Sequence, residues 1–306
     1  MIKHRKFPWF FAALFLLICF TSFVLLDTFV VPKTYSAIAT NTTAETTEAA
    51  SNTAAESSES SEAVITENSY QDDDMTITIS TEQAADTTYY VADIQVTNSD
   101  QLKTAFANNT YGRNIKETTS AIASENQAIL AINGDYYGFR DTGYVIRNGS
   151  LYRDTAEEDT DALVIDSDGN FSLVNQSEVS AESLLKEGAM QVFSFGPALV
   201  ENGELVVSSE EEVAQSMSSN PRTAIGQIGE NHYIIIVSDG RTADSAGLSL
   251  YQLGEIFKSK GATIAYNLDG GGSSTMVFNG QVVNTPVAGA KGDAGSERSV
   301  SDIIYF

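Results

Sequence analysis

Apolar positions along this chain fall into three regimes. The first is a nearly unbroken run, "FPWFFAALFLLICFTSFVLL", directly behind the basic flank "MIKHRK". About twenty apolar residues suffice to span ~30 Å of hydrocarbon as a helix. Lys3, Arg5 and Lys6 form the kind of flank that stays on the cytoplasmic side. The pattern predicts a cytoplasmic basic tail over 1–6 and a transmembrane signal-anchor helix over 7–31. A cleaved signal peptide is the competing reading, since "SAIAT" offers a small-x-small site ending at Ala39. Against it stand the length of the run and the charged Asp27 and Lys33, which lie between the run and that site.

The second regime, residues 32–69, contains "SAIATNTTAETTEAASNTAAESSESSEAVITEN", almost devoid of large apolar side chains. Such a segment cannot bury enough surface to offset its ordering entropy. It is expected to be a disordered, acidic stalk that holds a domain off the membrane.

The third regime, 70–306, alternates short apolar runs with turn residues. Asn148-Gly149, Asp168-Gly169, Asn202-Gly203 and Asn279-Gly280 each separate two strand-like runs. Asn-Gly and Asp-Gly suit type I′ turns because both central residues need a positive φ. Helical periodicity is rarer. In "SLYQLGEIFKSKG", Ser249 and Gln252 make a capping-box pair, Leu250, Leu253, Ile256 and Phe257 share one face, and Gly261 stands where the helix should stop. "TTSAIASENQ" and "SAESLLKEG" are weaker helix candidates. Hairpins interspersed with a few helices predict an α+β fold: a single domain with a mixed, largely antiparallel sheet.

Composition narrows the chemistry. The chain of 306 residues carries a formal charge of −24 and a pI near 4.2. That balance excludes nucleic acid as a partner, because a phosphate backbone needs basic surface. The single cysteine, Cys19, lies in the apolar run, so no disulfide framework or cysteine-based metal site forms within one chain. His4 and His232 are the only histidines. A Ser-His-Asp engine or a zinc site therefore finds too few partners, and His232 reads as a hairpin-edge residue. An acidic chain leaves room for calcium or magnesium held by aspartates and carbonyls, although nothing in the sequence requires a cofactor.

Four segments place polar residues where a plain strand end would not need them. "AILAINGDYYG" ends an apolar strand on Asn133-Gly134-Asp135 and two tyrosines. "SNPRTAIG" sets Arg222 and Thr223 at a strand start, and "YIIIVSDGR" ends on Asp239-Gly240-Arg241. The fourth, "YNLDGGGSST", follows Asp269 with Gly270, Gly271 and Gly272. A tight turn needs one or two glycines, so three in succession point to close approach of a ligand to bare backbone. Taken singly, Asp239-Gly240 and Asn133-Gly134-Asp135 are also ordinary turn chemistry. If these strands are neighbours, their ends bring carboxylates, arginines and backbone N–H groups to one rim.

These stretches, "NLDGGGSSTM", "AINGDYYG", "PRTAIGQ", "SFGPALVENGE" and "SDGRTADSAGLSLYQLGEIFKSKGA", together resemble the phosphodiester glycosidase family, from about Tyr89 to the C-terminus. The resemblance implies hydrolysis of a sugar-1-phosphodiester, releasing the sugar and leaving a phosphate monoester. Two departures stand out. Asn220 occupies a place that is often histidine in the family, and Arg298-Ser299-Val300 replaces the usual Arg-Pro-Val.

That implied substrate assigns roles. A phosphate leaving group needs its charge neutralised, which the planar guanidinium does well; Arg222, Arg241 and Arg298 are the candidates. Backbone N–H groups of Gly270, Gly271 and Gly272 would add an anion cradle. The anomeric carbon needs a carboxylate as base or nucleophile, with Asp269 the first choice and Asp135 and Asp239 next. Asn133, Gly134, Thr223, Ser273 and Ser274 would line the substrate, and Tyr136 would stack on the sugar. The expected protein is a cell-membrane hydrolase with a cytoplasmic N-terminus and an extracellular body, secreted if the leader is cleaved, acting on surface or exopolysaccharide-type glycans. A non-catalytic module that binds phosphate-bearing polysaccharide is the alternative, and a phosphodiesterase cleaving at phosphorus is a third reading.

Overall fold

The computed structural model describes residues 8–39, 62–209, 219–288 and 294–306. The tail over 1–6 and the middle of the low-complexity segment lie outside them. The apolar run forms helix α1 (Pro8–Phe29), whose side chains are exposed from Trp9 to Leu26. Beyond it, β1 (Lys33–Thr34), β2 (Val64–Ile65) and β3 (Ser69–Gln71) lead into the long hairpin of β4 (Met75–Ala84) and β5 (Thr87–Val96). Next come β6 (Lys103–Phe106), β7 (Gly112–Arg113), α2 (Thr119–Glu125) and β8 (Leu130–Asn133). The middle of the chain contributes β9 (Val145–Arg147), β10 (Ser150–Arg153), β11 (Asp161–Asp166), β12 (Phe171–Asn175), α3 (Ala181–Lys186), β13 (Ala189–Phe193), β14 (Ala198–Glu201) and β15 (Glu204–Leu205). The last part holds β16 (Arg222–Gly229), β17 (His232–Ser238), α4 (Leu250–Ser259), β18 (Ile264–Asn267), β19 (Met276–Phe278), β20 (Gln281–Val282) and β21 (Asp302–Tyr305).

The α+β class and the antiparallel pairing are as expected. The strands are divided among several sheets, and every ladder between the named strands is antiparallel. The largest sheet has nine strands in the order β15-β14-β18-β16-β17-β5-β4-β3-β2. Two five-stranded sheets, β10-β9-β13-β11-β12 and β20-β19-β8-β21-β6, accompany it, and β1 pairs with β7. One core cluster joins residues of all three large sheets, among them Ile94, Ile132, Phe193, Ile235 and Ile304. The opposite face of the nine-stranded sheet is covered by α4 through Leu250, Leu253, Ile256 and Phe257, the face that periodicity assigned inward.

Local chemistry explains most of these elements. Ser249 accepts from the Gln252 amide and the Gln252 side chain returns to the Ser249 amide, so the capping box forms as its sequence predicts. Both weaker helices form as short α2 and α3, capped by the side chains of Thr118 and Ser180. Three of the four turn pairs have both residues at positive φ: Asn148-Gly149, Asn202-Gly203 and Asn279-Gly280. At Asp168-Gly169 only the glycine is at positive φ, because the Asp166 carboxylate accepts from the Asp168 and Asn170 amides and shapes a longer turn. The tightest turn in the long hairpin, Ala85-Asp86, has both residues left-handed without any Asn-Gly signature.

Ordered structure reaches into both ends of the segment expected to be a stalk. Val64–Ile65 is the edge of the nine-stranded sheet. At the other end Lys33 and Thr34 pair with Arg113 and Gly112, the Tyr35 amide donates to the Tyr111 carbonyl at 3.0 Å, and the Ile38 amide donates to the Leu151 carbonyl at 2.7 Å. The Asn114 side chain donates to the carbonyls of Thr28 and Val31, both at 3.1 Å, which ties the end of α1 to the body. A Cβ on Gly112 would lie 2.0 Å from the Lys33 carbonyl oxygen. Gly112→Ala is therefore expected to dislodge β1 while leaving the body folded. Hydrogen exchange would show this as faster exchange at Tyr35 and Ile38; unchanged protection there would mean the strand does not depend on that approach.

Candidate active site

The site grows from the end of three adjacent strands. In the ladder β18-β16-β17, Arg222 opens β16 opposite Ser238, the last residue of β17, and β18 ends at Asn267 opposite Ala224. The Leu268 amide still follows β16, donating to the Thr223 carbonyl at 2.8 Å, and the chain then leaves the sheet at Asp269. The end of β8, in another sheet, meets this rim through Asn133. Its fully buried side chain donates to the Asp269 carbonyl at 2.6 Å and accepts from the Thr223 hydroxyl at 2.8 Å and the Thr275 amide at 3.2 Å. The Asp269 amide in turn donates to the Gly134 carbonyl at 3.3 Å. Asn133 and Thr223 are thus framework, holding the loop from both sides, and neither is exposed to a substrate.

Asp269 sits in a closed polar ring. The Ser273 hydroxyl donates to its Oδ2 at 2.6 Å, Arg298 Nη2 donates to Oδ2 at 2.9 Å and to Oδ1 at 3.1 Å, and Arg298 Nε donates to the Ser273 hydroxyl at 2.8 Å. Burial pushes the Asp269 carboxyl up, opposed by the Arg298 charge and the Ser273 hydrogen bond. Arg241 approaches from the loop after β17, its Nε donating to Asn220 Oδ1 at 2.9 Å. Burial and the neighbouring Arg298 charge lower its proton affinity. Among the described residues, no protein acceptor takes the Nη groups of Arg241 or Nη1 of Arg298. Two mutually repelling guanidiniums with unmet donors beside one carboxylate make a site that an anion would relieve.

The glycines have three different reasons. A Cβ on Gly270 would lie 2.9 Å from the Pro221 carbonyl oxygen, and one on Gly272 would lie 3.1 Å from that of Val287. Gly271 has φ +61 and would bring its Cβ to 2.8 Å from Arg241 Nη2. The expected cradle of three amides is not what they build. The Gly271 amide donates to the Pro221 carbonyl at 2.8 Å, and the Gly270 amide bonds to the Asp269 carboxylate. Close packing of backbone on backbone and the approach of Arg241 account for the missing side chains.

Other expected residues turn away. Asp135 Oδ1 accepts from the Tyr137 amide at 2.9 Å, and its Oδ2 accepts from Arg147 at 3.0 Å and the Ser194 amide at 3.4 Å, so it faces the interior. Asp239 accepts from the Thr285 amide at 2.7 Å and the Tyr90 hydroxyl at 3.3 Å, locking two loops together; burial raises its carboxyl. Arg222 is buried next to Gly270, with its amide on the Ser238 hydroxyl and its Nε on the Leu248 carbonyl. The Tyr136 ring is stacked on Phe139 at 4.7 Å, which covers a face expected to meet sugar. Ser274 is buried and its hydroxyl has no protein partner. His232 stands at the opposite end of β17, paired with Asp93 at 2.8 Å. Among the described residues no group of three or more His, Cys, Asp or Glu side chains is placed to hold a metal ion.

The model of the phosphodiester glycosidase family matches residues 126–306. The chain belongs to that family. An uncharacterized protein of the SPbeta prophage of Bacillus subtilis (strain 168), YomE, is 32% identical over 201 residues, covering 63% of this chain and 30% of that protein. The N-acetylglucosamine-1-phosphodiester alpha-N-acetylglucosaminidase of Mus musculus is 30% identical over 107 residues, 33% of this chain and 20% of the relative. The chain thus spans under a third of the length of these relatives. Among solved structures, the zebrafish N-acetylglucosamine-1-phosphodiester alpha-N-acetylglucosaminidase catalytic domain, auto-inhibited by its pro-peptide, shares the fold at a TM-score of 0.59 and 21% identity, covering 76% of this chain and 82% of that one. A hypothetical protein from Synechocystis matches at a TM-score of 0.58 and 15% identity, covering 76% and 62%.

Sequence reasoning missed two buried residues next to this candidate site, Arg147 and Asp302. Arg147 is fully buried; its Nη2 bonds Asp135 at 3.0 Å and its Nε and Nη2 bond Asp302 Oδ2 at 2.9 and 2.8 Å. An arginine ending the apolar strand-like run "YVIR" just before the Asn-Gly turn was the available signal. Burial pushes the Asp302 carboxyl up to about 7, against the pull of Arg147, with Asp135 and Asp269 adding to the rise. The folded state therefore holds this proton more tightly than the unfolded chain. The resulting stabilisation is present at acid pH and is lost as pH rises from about 4 to about 7. Asp302→Asn should abolish that contribution, so the parent's melting temperature should fall relative to the variant's across this window. Parallel curves would show that Asp302 is ionised throughout.

Proposed function

We propose that this protein is a membrane-tethered extracellular hydrolase that cleaves the bond between a sugar C1 and a phosphodiester oxygen in surface glycans. The observation that carries the reading is the pair of guanidiniums at the buried Asp269, Arg241 and Arg298, whose Arg241 Nη and Arg298 Nη1 donors meet no acceptor among the described residues. Membership of the phosphodiester glycosidase family agrees with it. In this reading the substrate phosphate lies between the two guanidiniums and accepts from their free Nη groups. Negative charge that develops on the departing phosphate is neutralised there, which lowers the barrier to breaking the C1–O bond. Asp269, whose carboxyl burial pushes up against the pull of Arg298 and Ser273, serves the anomeric carbon in its ionised form as base for water or as nucleophile. Asn220 orients Arg241, and Asn133 with Thr223 fixes the loop that carries the acid.

The tether is α1. Trp9–Phe29 is long and apolar enough to cross a membrane and is not buried in the body, and the basic residues ahead of it favour a cytoplasmic N-terminus.

Asp269→Asn should lower turnover of a chromogenic sugar-1-phosphodiester by about three orders of magnitude while the melting curve stays cooperative. Arg241→Met should chiefly raise KM, by about tenfold to a hundredfold, the value of a charged hydrogen bond. Water labelled with heavy oxygen should mark the released sugar; label in the phosphate would instead mean attack at phosphorus. A parent protein that binds phosphodiesters without turning over any of a sugar panel would make this a binding module.

A further inference from the structure

The Asp135–Arg147–Asp302 cluster has a geometry that the reaction itself does not use. Its three side chains are almost wholly inaccessible, with Arg147 and Asp302 at 1% and 0% side-chain exposure. The guanidinium is saturated: besides the two carboxylates, Nη1 donates to the carbonyls of Ile146 and Val192, and its plane lies 4.1 Å from the centre of the Phe193 ring. Asp302 Oδ1, by contrast, has no hydrogen-bond partner among the described residues. That oxygen lies against Gly134, where a Cβ would come within 2.4 Å of it, and the Gly134 amide donates to the Asp302 carbonyl at 2.9 Å. The other side of the same peptide segment holds Asp269, through the Gly134 carbonyl and Asn133. Gly134 is therefore sandwiched between the buried cluster and the acid of the active site.

We propose that Arg147 and Asp302 are positioning residues for this site. Arg147 clamps the Gly134–Asp135 segment that supports Asp269, and Asp302 must keep its proton for a phosphodiester to bind. The charge count requires the second half. The groups facing Asp302 are Arg147 from β9, Asp135 and Asp269 from the loops after β8 and β18, and the Tyr137 hydroxyl; across the ladder β6 offers only Phe106. Arg147 and Arg298, the two cations in contact with these acids, cannot neutralise three ionised carboxylates in a low-dielectric interior, and Arg241 is held by Asn220 and by none of the three. With Asp302 neutral, Asp135 balances Arg147 and Asp269 balances Arg298. With Asp302 ionised, an extra negative charge lies under the place where the phosphate must arrive.

This rests on the hydrolase reading, so two readouts are needed. In the full-length protein, kcat/KM on a sugar-1-phosphodiester should fall by about tenfold per unit above about pH 7. Asp302→Asn should stay within about twofold of its maximum to about pH 9. Binding of dimethyl phosphate, whose charge is constant over this range, should show the same limb in the parent and not in Asp302→Asn. Arg147→Lys, which keeps the charge but not the fork, should lose kcat and retain the limb. Superimposable limbs in parent and Asp302→Asn, a parent with no limb in binding, or parental kcat in Arg147→Lys would each overturn the proposal. Absence of turnover on every diester, with the binding limb removed by Asp302→Asn, would sink the hydrolase reading and leave the proton requirement standing.

Discussion

The structure depends on the side chain of Asn133. It is fully buried at the place where the end of β8 meets the end of β16 and β18, and each of its polar atoms is engaged across that junction. A buried amide with unpaired groups costs more than its hydrogen bonds return, so the two sheets must meet in the register that satisfies it. That register places the Asp269 carbonyl on one sheet's asparagine and the Asp269 amide on the Gly134 carbonyl. The acid is consequently fixed by main chain from two directions before its carboxylate makes any contact of its own. Arg298 and Ser273 then need only orient the oxygens.

Charge is handled by segregation. A chain with 41 acidic and 17 basic side chains gathers Arg147, Arg241 and Arg298 within and beneath one rim. The buried Arg147 is fully matched, whereas the two upper guanidiniums keep donors in hand. Elsewhere the half-buried Arg113 and Arg140 lie in ordinary ion pairs with Asp141 and Glu157. An anion-accepting site inside an acidic molecule gains selectivity from this contrast, because the surrounding field repels anions that cannot be gripped by both guanidiniums.

Much of this was legible locally and little of it at long range. The capping box of α4 and three hairpin turns follow from residues within four positions of one another. The convergence of Arg222, Asp239 and Asp269 on one rim followed from their places at strand ends. Which of the acids turns outward did not. An aspartate beside glycine reads the same whether it joins a ring with Arg298 and Ser273, as Asp269 does, or fastens a loop, as Asp239 does through Thr285 and Tyr90. Arg147 and its partner Asp302 are 155 positions apart, and the pairing between them leaves no periodic trace. The same holds for the division into several sheets, which is decided by which strand ends share a buried polar group.

The low-complexity segment shows how composition can mislead at its edges. Its middle has nothing to bury, but Tyr35 and Ile38 at one flank and Val64 and Ile65 at the other do pair with the body. Lys33 can add to β7 because Gly112 has no side chain to obstruct its carbonyl, and Asn114 holds the last carbonyls of α1. With α1 as the tether, the distance from membrane to body is then set by the few residues between Phe29 and Lys33, not by the contour length of the whole acidic stretch. In the proposed reading, the Asn114 bonds to the Thr28 and Val31 carbonyls would seat the body against the end of the tether. A hydrolase so held would be confined to glycans that reach down to the membrane surface, a constraint independent of any residue in the proposed site.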